Sequence, residues 1–317
     1  MKQLVNKFLG LFGLHIESQW MHQRRKLLER ILSELFLNKN SASYTEKSCS
    51  IICFSKDRPM QLDALLFSMK QMLDEFEKVN IYVIYHASNA QFELGYEKLK
   101  KLSYCSHINF IREKKFRNEL ISLLSDIKSE KVLFLVDDIF FKNPLKWESF
   151  ITLDNETYIP SLRHGSHLNF AYTHQKAQAL PNLEEKAGMI SWSWSEAEHD
   201  WNYPLSVDGH LFKTDEIFTL LSNIDFKAPN SLEHEMQIVK EVFSARKGIA
   251  YKESIIVNNP ANKVQNENPN YHGESDNEEL NQAWLDGYRF NFEAYQGIKN
   301  HSAHQLLEIK LIQDERT

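Results

Sequence analysis

Apolar residues recur along this chain in two alternating rhythms. Residues 50–55 form a short apolar run suited to a buried strand, and Pro59 then opens a helix whose stripe is Leu62, Leu65, Leu66, Met69, Leu73 and Phe76. A second strand is predicted over 80–85, followed by a helix that Ser88 or Asn89 can cap. A third strand is predicted over 107–111, a helix over 116–128, and the most apolar strand over 131–136. Strands that alternate with helices in units of about 25–30 residues predict an α/β domain with a mainly parallel sheet and right-handed crossovers. Its first hundred or so residues make a Rossmann-like, nucleotide-sized half.

Beyond Pro144 the rhythm loosens. Short strands are predicted over 157–162 and 209–213, and helices over 215–222, 232–243 and 278–286. Loops in this less regular half are rich in His, Trp, Asn and Asp, which suits hydroxyl-bearing ligands. A polar stretch over 38–48 reads as a linker. The chain therefore divides into an amphipathic helical extension (1–40), a main domain (50–290) and a C-terminal tail (291–317).

In the extension, Leu4, Val5, Phe8, Leu9, Leu11 and Phe12 share one helical face. Leu27, Leu28, Ile31, Leu32, Leu35 and Phe36 repeat the pattern after Arg24, Arg25 and Lys26. Both faces need burial, either at an anionic membrane surface or against the main domain or a partner. No apolar run approaches the ~20 residues of a membrane span. Gly10 and Gly13 interrupt the first stretch, and no small-residue cleavage site follows, which argues against a signal peptide.

Composition narrows the function classes. A formal charge of −6 argues against a general nucleic-acid binder. Three cysteines without metal-type spacing offer neither a disulfide framework nor a zinc site, and they fit the cytoplasm, with peripheral attachment to the inner face of the plasma membrane as an option. Only 10 glycines occur, and no glycine-rich phosphate loop is present, so a bound nucleotide would have its phosphates neutralised by side chains and a metal ion.

The sharpest chemical signal is VLFLVDDIFF. An apolar strand runs straight into Asp137 and Asp138, and two carboxylates between apolar flanks are costly without a cation. In an open parallel sheet, ligands bind outside the carboxyl ends of the strands, where these side chains emerge. Strand alternation would send them to opposite sides, with Asp138 on a divalent ion and Asp137 on ribose or structural donors. Capping of the following turn is the plainer alternative. At the end of the first strand, Ser55, Lys56, Asp57 and Arg58 bring polar groups to the same edge; Arg58 suits a phosphate, and Ser55 or Asp57 suits a base.

Together these pieces resemble the GT-A glycosyltransferases, especially family-2-like bacterial enzymes of surface-polysaccharide synthesis. The resemblance covers about residues 50–288. It implies that Ser55, Lys56, Asp57, Arg58, Asn89 and Asp137 hold the nucleotide. VDD resembles an Asp-x-Asp motif lacking its first acid, leaving Asp138 as the ligand of Mn²⁺ or Mg²⁺. His272 matches the C-terminal histidine that completes the metal shell in some members, with His301 and His304 also downstream. SVDGHLFKTDEI resembles the family's glycine loop through Asp208, Gly209 and His210, the last two facing the acceptor. In NSLEHEMQ, Glu233 matches the catalytic base of inverting members, with Glu235 in reserve and Asp208 competing; Asn230 and Glu233 also have capping-box spacing. Trp194 and Trp201, near Trp192, can stack on an acceptor sugar beside Asp200 or Asn202, or can be buried framework. His164, His167 and His174 match no standard zinc spacing.

The implied activity is sugar transfer from a nucleotide-diphosphate donor to a saccharide or lipid-linked acceptor. Two rivals are a sugar-nucleotide pyrophosphorylase, which usually carries the glycine-rich loop missing here, and an inactive membrane-associated assembly subunit.

Overall fold

A computed structural model describes residues 19–38, 46–261 and 276–316. Helix α1 (Gln19–Asn38) precedes three βα units and a fourth strand: β1 (Glu46–Lys56), α2 (Pro59–Met72), β2 (Asn80–His86), α3 (Ala90–Lys100), β3 (Asn109–Arg112), α4 (Phe116–Asp126) and β4 (Ser129–Val136). The expected parallel sheet forms, with β1 in the middle. Ile52 pairs with Tyr82 of β2 on one side and Phe134 of β4 on the other, and β3 lies outside β2.

The central strands are apolar throughout because both of their faces are covered. Ile51 and Cys53 of β1 and Leu133 and Leu135 of β4 enter one core, shared with α2 and α3. Ile52, Phe54, Val132 and Phe134 enter a second, on the side of α4.

The second half hangs on this sheet. After β5 (Ile139–Phe141) come β6 (Tyr158–Ser161), β7 (Glu184–Lys186), β8 (Met189–Trp192) and β9 (Leu211–Lys213). Strand β9 pairs antiparallel with β4, so the five-stranded sheet is mixed. Helices α5 (Thr214–Ser222) and α6 (Pro229–Ile238) follow, then β10 (Lys247–Tyr251) and β11 (Ile256–Asn258). Strands β6, β10, β8 and β7 form a second sheet in that order, and β11 pairs antiparallel with β5. Helix α7 (Asn277–Leu285) and the β12 (Tyr288–Phe290) and β13 (Leu311–Gln313) hairpin finish the described chain.

Two expectations about the ends meet the structure differently. Helix α1 packs on the main domain: Ile31 is fully buried, Arg24 Nε donates to the Ile238 carbonyl at 2.8 Å, and Arg30 donates to that of Asn223 at 3.1 Å. Its outer side leaves Leu32, Phe36 and Leu37 exposed. The apolar face over residues 4–12 lies outside the described residues. The expected tail is woven into the domain, since β13 pairs with β12 and a backbone bridge joins Asn258 to His304. Among the described residues no helix is long and apolar enough to cross a membrane.

Arg316 secures this last segment. Its Nη2 reaches the carboxylate of Asp63, which is 1% exposed on α2 and also accepts from Tyr104 Oη. Removing one partner of a buried pair leaves an uncompensated charge. Arg316→Met is expected to cost about 3 kcal/mol, read as a lower urea midpoint with unchanged slope; a midpoint equal to the parent would show that Asp63 does not depend on the clamp.

Candidate active site

The pairing of β1 with β4 stops one register step before the two acids. Phe54 lies opposite Val136, and the Asp137 N–H donates to the Phe54 carbonyl at 3.0 Å, which brings residues 55–58 beside Asp137. At Asp57 the backbone turns left-handed (φ +54), a conformation that Asp tolerates better than most residues. Its carboxylate then accepts from the Ser88 N–H at 2.7 Å, joining the ends of β1 and β2. Pro59 starts α2, and Arg58, just before it, turns its guanidinium back over the sheet edge.

That guanidinium defines the first half of the site. Arg58 Nη1 donates to Asp137 Oδ1 at 3.0 Å and to Asp138 Oδ2 at 2.9 Å. The Lys56 N–H occupies the other Asp137 oxygen at 3.1 Å, and Asn258 Nδ2 the other Asp138 oxygen at 2.9 Å. Residues 137 and 138 form a turn rather than a strand end, so the expected alternation stops there and both acids meet one cation. Burial raises both carboxyl groups. Asp138 is pushed up to about 6, with Arg58 opposing the shift and Asp137 and Asp208 adding to it.

The second half arrives through β9 and β11. The Gly209 N–H donates to the Phe134 carbonyl at 2.8 Å, which docks the Asp208 loop against the end of β4. Glycine is required there by φ +77 and by Ile256, whose Cδ1 would stand 2.5 Å from an added Cβ. Asp208 Oδ2 receives His304 Nε2 at 3.1 Å and Arg163 Nη1 at 3.4 Å. Burial pushes Asp208 up, but His304 and Arg163 outweigh it and hold the group below its ordinary value; His304 is raised in turn.

Glu233 completes the cluster from α6. Its Oε1 accepts from Ser206 Oγ at 2.7 Å and from the Val207 N–H at 2.8 Å. It does not close a capping box with Asn230. The helix starts at Pro229, and Ser231 Oγ satisfies the Ala228 N–H instead. Burial and the Asp208 charge push Glu233 up to about 7.

The remaining expected residues separate into neighbours and framework. Ser55 Oγ meets Tyr96 Oη at 2.7 Å beneath Arg58, and Lys56 is exposed. Asn89 caps α3 and lines a pocket of about 520 Å³ with Ser88, Glu93 and Arg112. His210 is fully buried, with Nδ1 2.9 Å from the Pro204 carbonyl. Trp201 is fully buried and Trp194 nearly so, each packed against Trp192 or His164 rather than open for stacking on a sugar. Burial thus corrects the open-face expectation for both rings. Asp200 is held by Arg163 at 3.5 Å, and Asn202 accepts from Lys240. The histidines of the 164–174 stretch part company: His164 binds Ser161, His167 binds Asn300 and His174 stacks on His199. His272 lies outside the described residues, whereas His304 stands in the cluster. Among the described residues no three His, Cys, Asp or Glu side chains are grouped as a metal site.

Arg163, Ser206 and Asn258 were not anticipated. Arg163 follows a strand as Arg58 does, which was its one signal in the sequence.

No family model matches the chain. Over 201 residues, 57% of this chain, it is 26% identical to the bifunctional glycosyltransferase pgtA of Dictyostelium discoideum, and it spans 26% of that protein's length. Among solved structures it is similar to S. aureus TarS 1-349 in complex with UDP-GlcNAc, at 15% identity and TM-score 0.43, covering 69% of this chain and 60% of that one. It is also similar to mannosyltransferase PcManGT from Pyrobaculum calidifontis in complex with GDP-Man and Mn2+, at 10% identity and TM-score 0.30, covering 44% of each chain. The mixed central sheet with flanking helices is consistent with a Rossmann-like GT-A core.

The buried imidazoles make stability depend on pH. Burial lowers His164 well below its ordinary range and His210 to about 3. The unfolded chain binds protons at these positions near pH 6.5 and the folded chain does not, so stability falls as pH drops from about 6.5 toward 3. At pH 5 the His210 contribution is about 2 kcal/mol. His210→Gln should therefore lose about that much less than the parent between pH 7 and pH 5 in urea titrations; equal losses would contradict neutral burial.

Proposed function

We propose that this chain is a glycosyltransferase that moves a sugar from a nucleotide-diphosphate donor to a saccharide or lipid-linked acceptor, with inversion, in cell-surface polysaccharide synthesis. The reading rests on one observation. Asp138, Asp208, His304 and Glu233 converge at the carboxyl ends of the central strands, between two buried guanidinium groups.

Donor chemistry at this point fits a hard divalent ion. Asp138 is a largely buried carboxylate whose charge a divalent cation would neutralise, and His304 Nδ1 is buried without a hydrogen-bond partner. Asp138 and His304 would hold Mn²⁺ or Mg²⁺, which when bound supplies charge stabilisation for the departing diphosphate. The chain's own residues do the rest. Arg58, bonded to both acids, places a positive charge on the phosphate side, and the Asp57–Ser88 edge with the pocket beside Asn89 accommodates the nucleoside.

Between the two candidate bases, acidity decides. Asp208 is ion-paired and weakly basic, whereas Glu233, raised to about 7, suits proton removal near neutral pH. Glu233 takes the proton of the acceptor hydroxyl, whose oxygen bonds to the anomeric carbon. The bond from that carbon to the diphosphate breaks, and the nucleotide leaves with the electron pair. Asp208 orients the cluster, and the Gly209–His210 loop borders the acceptor side. The exposed Leu32 and Phe36 of α1 support peripheral contact with an anionic membrane surface.

Glu233→Gln should lower turnover of the preferred nucleotide sugar by about 10²–10⁴-fold while the fold persists. The parent rate should climb with pH through about 7 as Glu233 ionises. Near-parental turnover of this variant, with Asp208→Asn inactive, would transfer the role to Asp208. A thermal-shift screen of UDP-, GDP-, CMP- and dTDP-sugars should show one donor that stabilises the protein more strongly with Mn²⁺ present, and Asp138→Asn should erase that increment. Stabilisation by no donor would favour an inactive subunit.

A further inference from the structure

Three carboxylates outside the Arg58 pair depend on Arg163. It is 3% exposed and follows β6, where Ser161 bridges to His210 and the Leu162 N–H binds the Gly209 carbonyl. Its Nη2 stands 3.5 Å from Asp200 Oδ1, and its Nη1 reaches Asp208 Oδ2 at 3.4 Å and Ser206 Oγ at 3.0 Å. Ser206 Oγ in turn donates to Glu233 Oε1 at 2.7 Å. A hydroxyl has one proton, so while Arg163 donates to the oxygen of Ser206, its hydrogen is directed to Glu233.

We propose that Arg163 is a positioning residue for sugar transfer: through Ser206 and Asp208 its guanidinium holds the Glu233 carboxylate in the orientation from which it takes the acceptor proton. This deepens the transferase reading and rests on it. The charged and titratable groups acting on Glu233 are Asp208, Arg163 and Tyr203; Asp200 and His304 stand behind them in the same chain of contacts, while Lys240 on the adjoining turn is engaged by Asn202. Arg163 is the guanidinium among them, and its planar fork spans two acids and a hydroxyl. A lysine keeps the charge without the fork.

Two arms test this, the first of them without turnover. In donor-free protein, NMR titration of the Glu233 side-chain carboxyl should show its midpoint moving to higher pH in Arg163→Gln, because a cation is lost, and returning most of the way in Arg163→Lys. An unchanged midpoint in folded Arg163→Gln would overturn the proposal. In turnover assays, Arg163→Gln should reduce kcat by about 10²-fold with donor KM within about threefold, and its acidic limb should shift with the NMR midpoint. A change confined to KM, or a kcat loss without the limb shift, would reduce Arg163 to a structural residue. Should Arg163→Gln fail to fold, Arg163→Lys decides alone: Glu233 titrating as in the parent while kcat falls at least tenfold supports lost orientation, and a parental kcat refutes it. If the NMR arm succeeds and the parent transfers no sugar from any donor, the transferase reading fails and the Arg163–Glu233 linkage stands.

Discussion

Arg58 between Asp137 and Asp138 is the contact on which the ligand-facing edge depends. Two carboxylates on buried backbone would each be strongly disfavoured alone, and one guanidinium with two N–H donors engages all four of their oxygens together with Lys56 and Asn258. Because the donors come from β1, from the start of α2 and from β11, satisfying the acids also ties the two halves of the domain together. Burial keeps both carboxyl groups raised although Arg58 opposes the shift.

Arg163 repeats this arrangement on the other side of β4. Each guanidinium follows a strand end, each serves two acids, and each is buried. The two systems face one another through Asp138, Asp208 and His304, so their charges cannot be treated separately. This explains how two neighbouring acids acquire different chemistry. Asp208, paired with Arg163 and His304, is held below its ordinary value; Glu233, held by a hydroxyl and an amide, carries a higher affinity for its proton.

The tryptophan-rich stretch has a structural role of its own. Trp192, Trp194 and Trp201 enclose His164, and Gly248 leaves room for the Trp192 ring. This aromatic block packs around His164, the residue next to Arg163 just past the end of β6.

Periodicity alone determined the first half of the domain: the apolar strand runs, the Pro59 start, a cap at Ser88 or Asn89 and the position of the acids after β4 depend on neighbours within a few turns. The nearness of residues 55–58 to Asp137 also followed, because parallel strands in register bring their carboxyl ends to one edge. Tertiary structure decided the rest. Arg163 meets Asp208 across 45 positions, Asn258 meets Asp138 across 120, and His304 joins Asp208 only after the final segment has packed back onto the domain. The 137–138 turn, the burial of Trp201 and the docking of α1 were each one of two readings that the sequence left open. Local sequence encodes hydrogen-bonding period and face, whereas the pairing of distant charges depends on which loops the completed sheet brings within a few ångströms of each other.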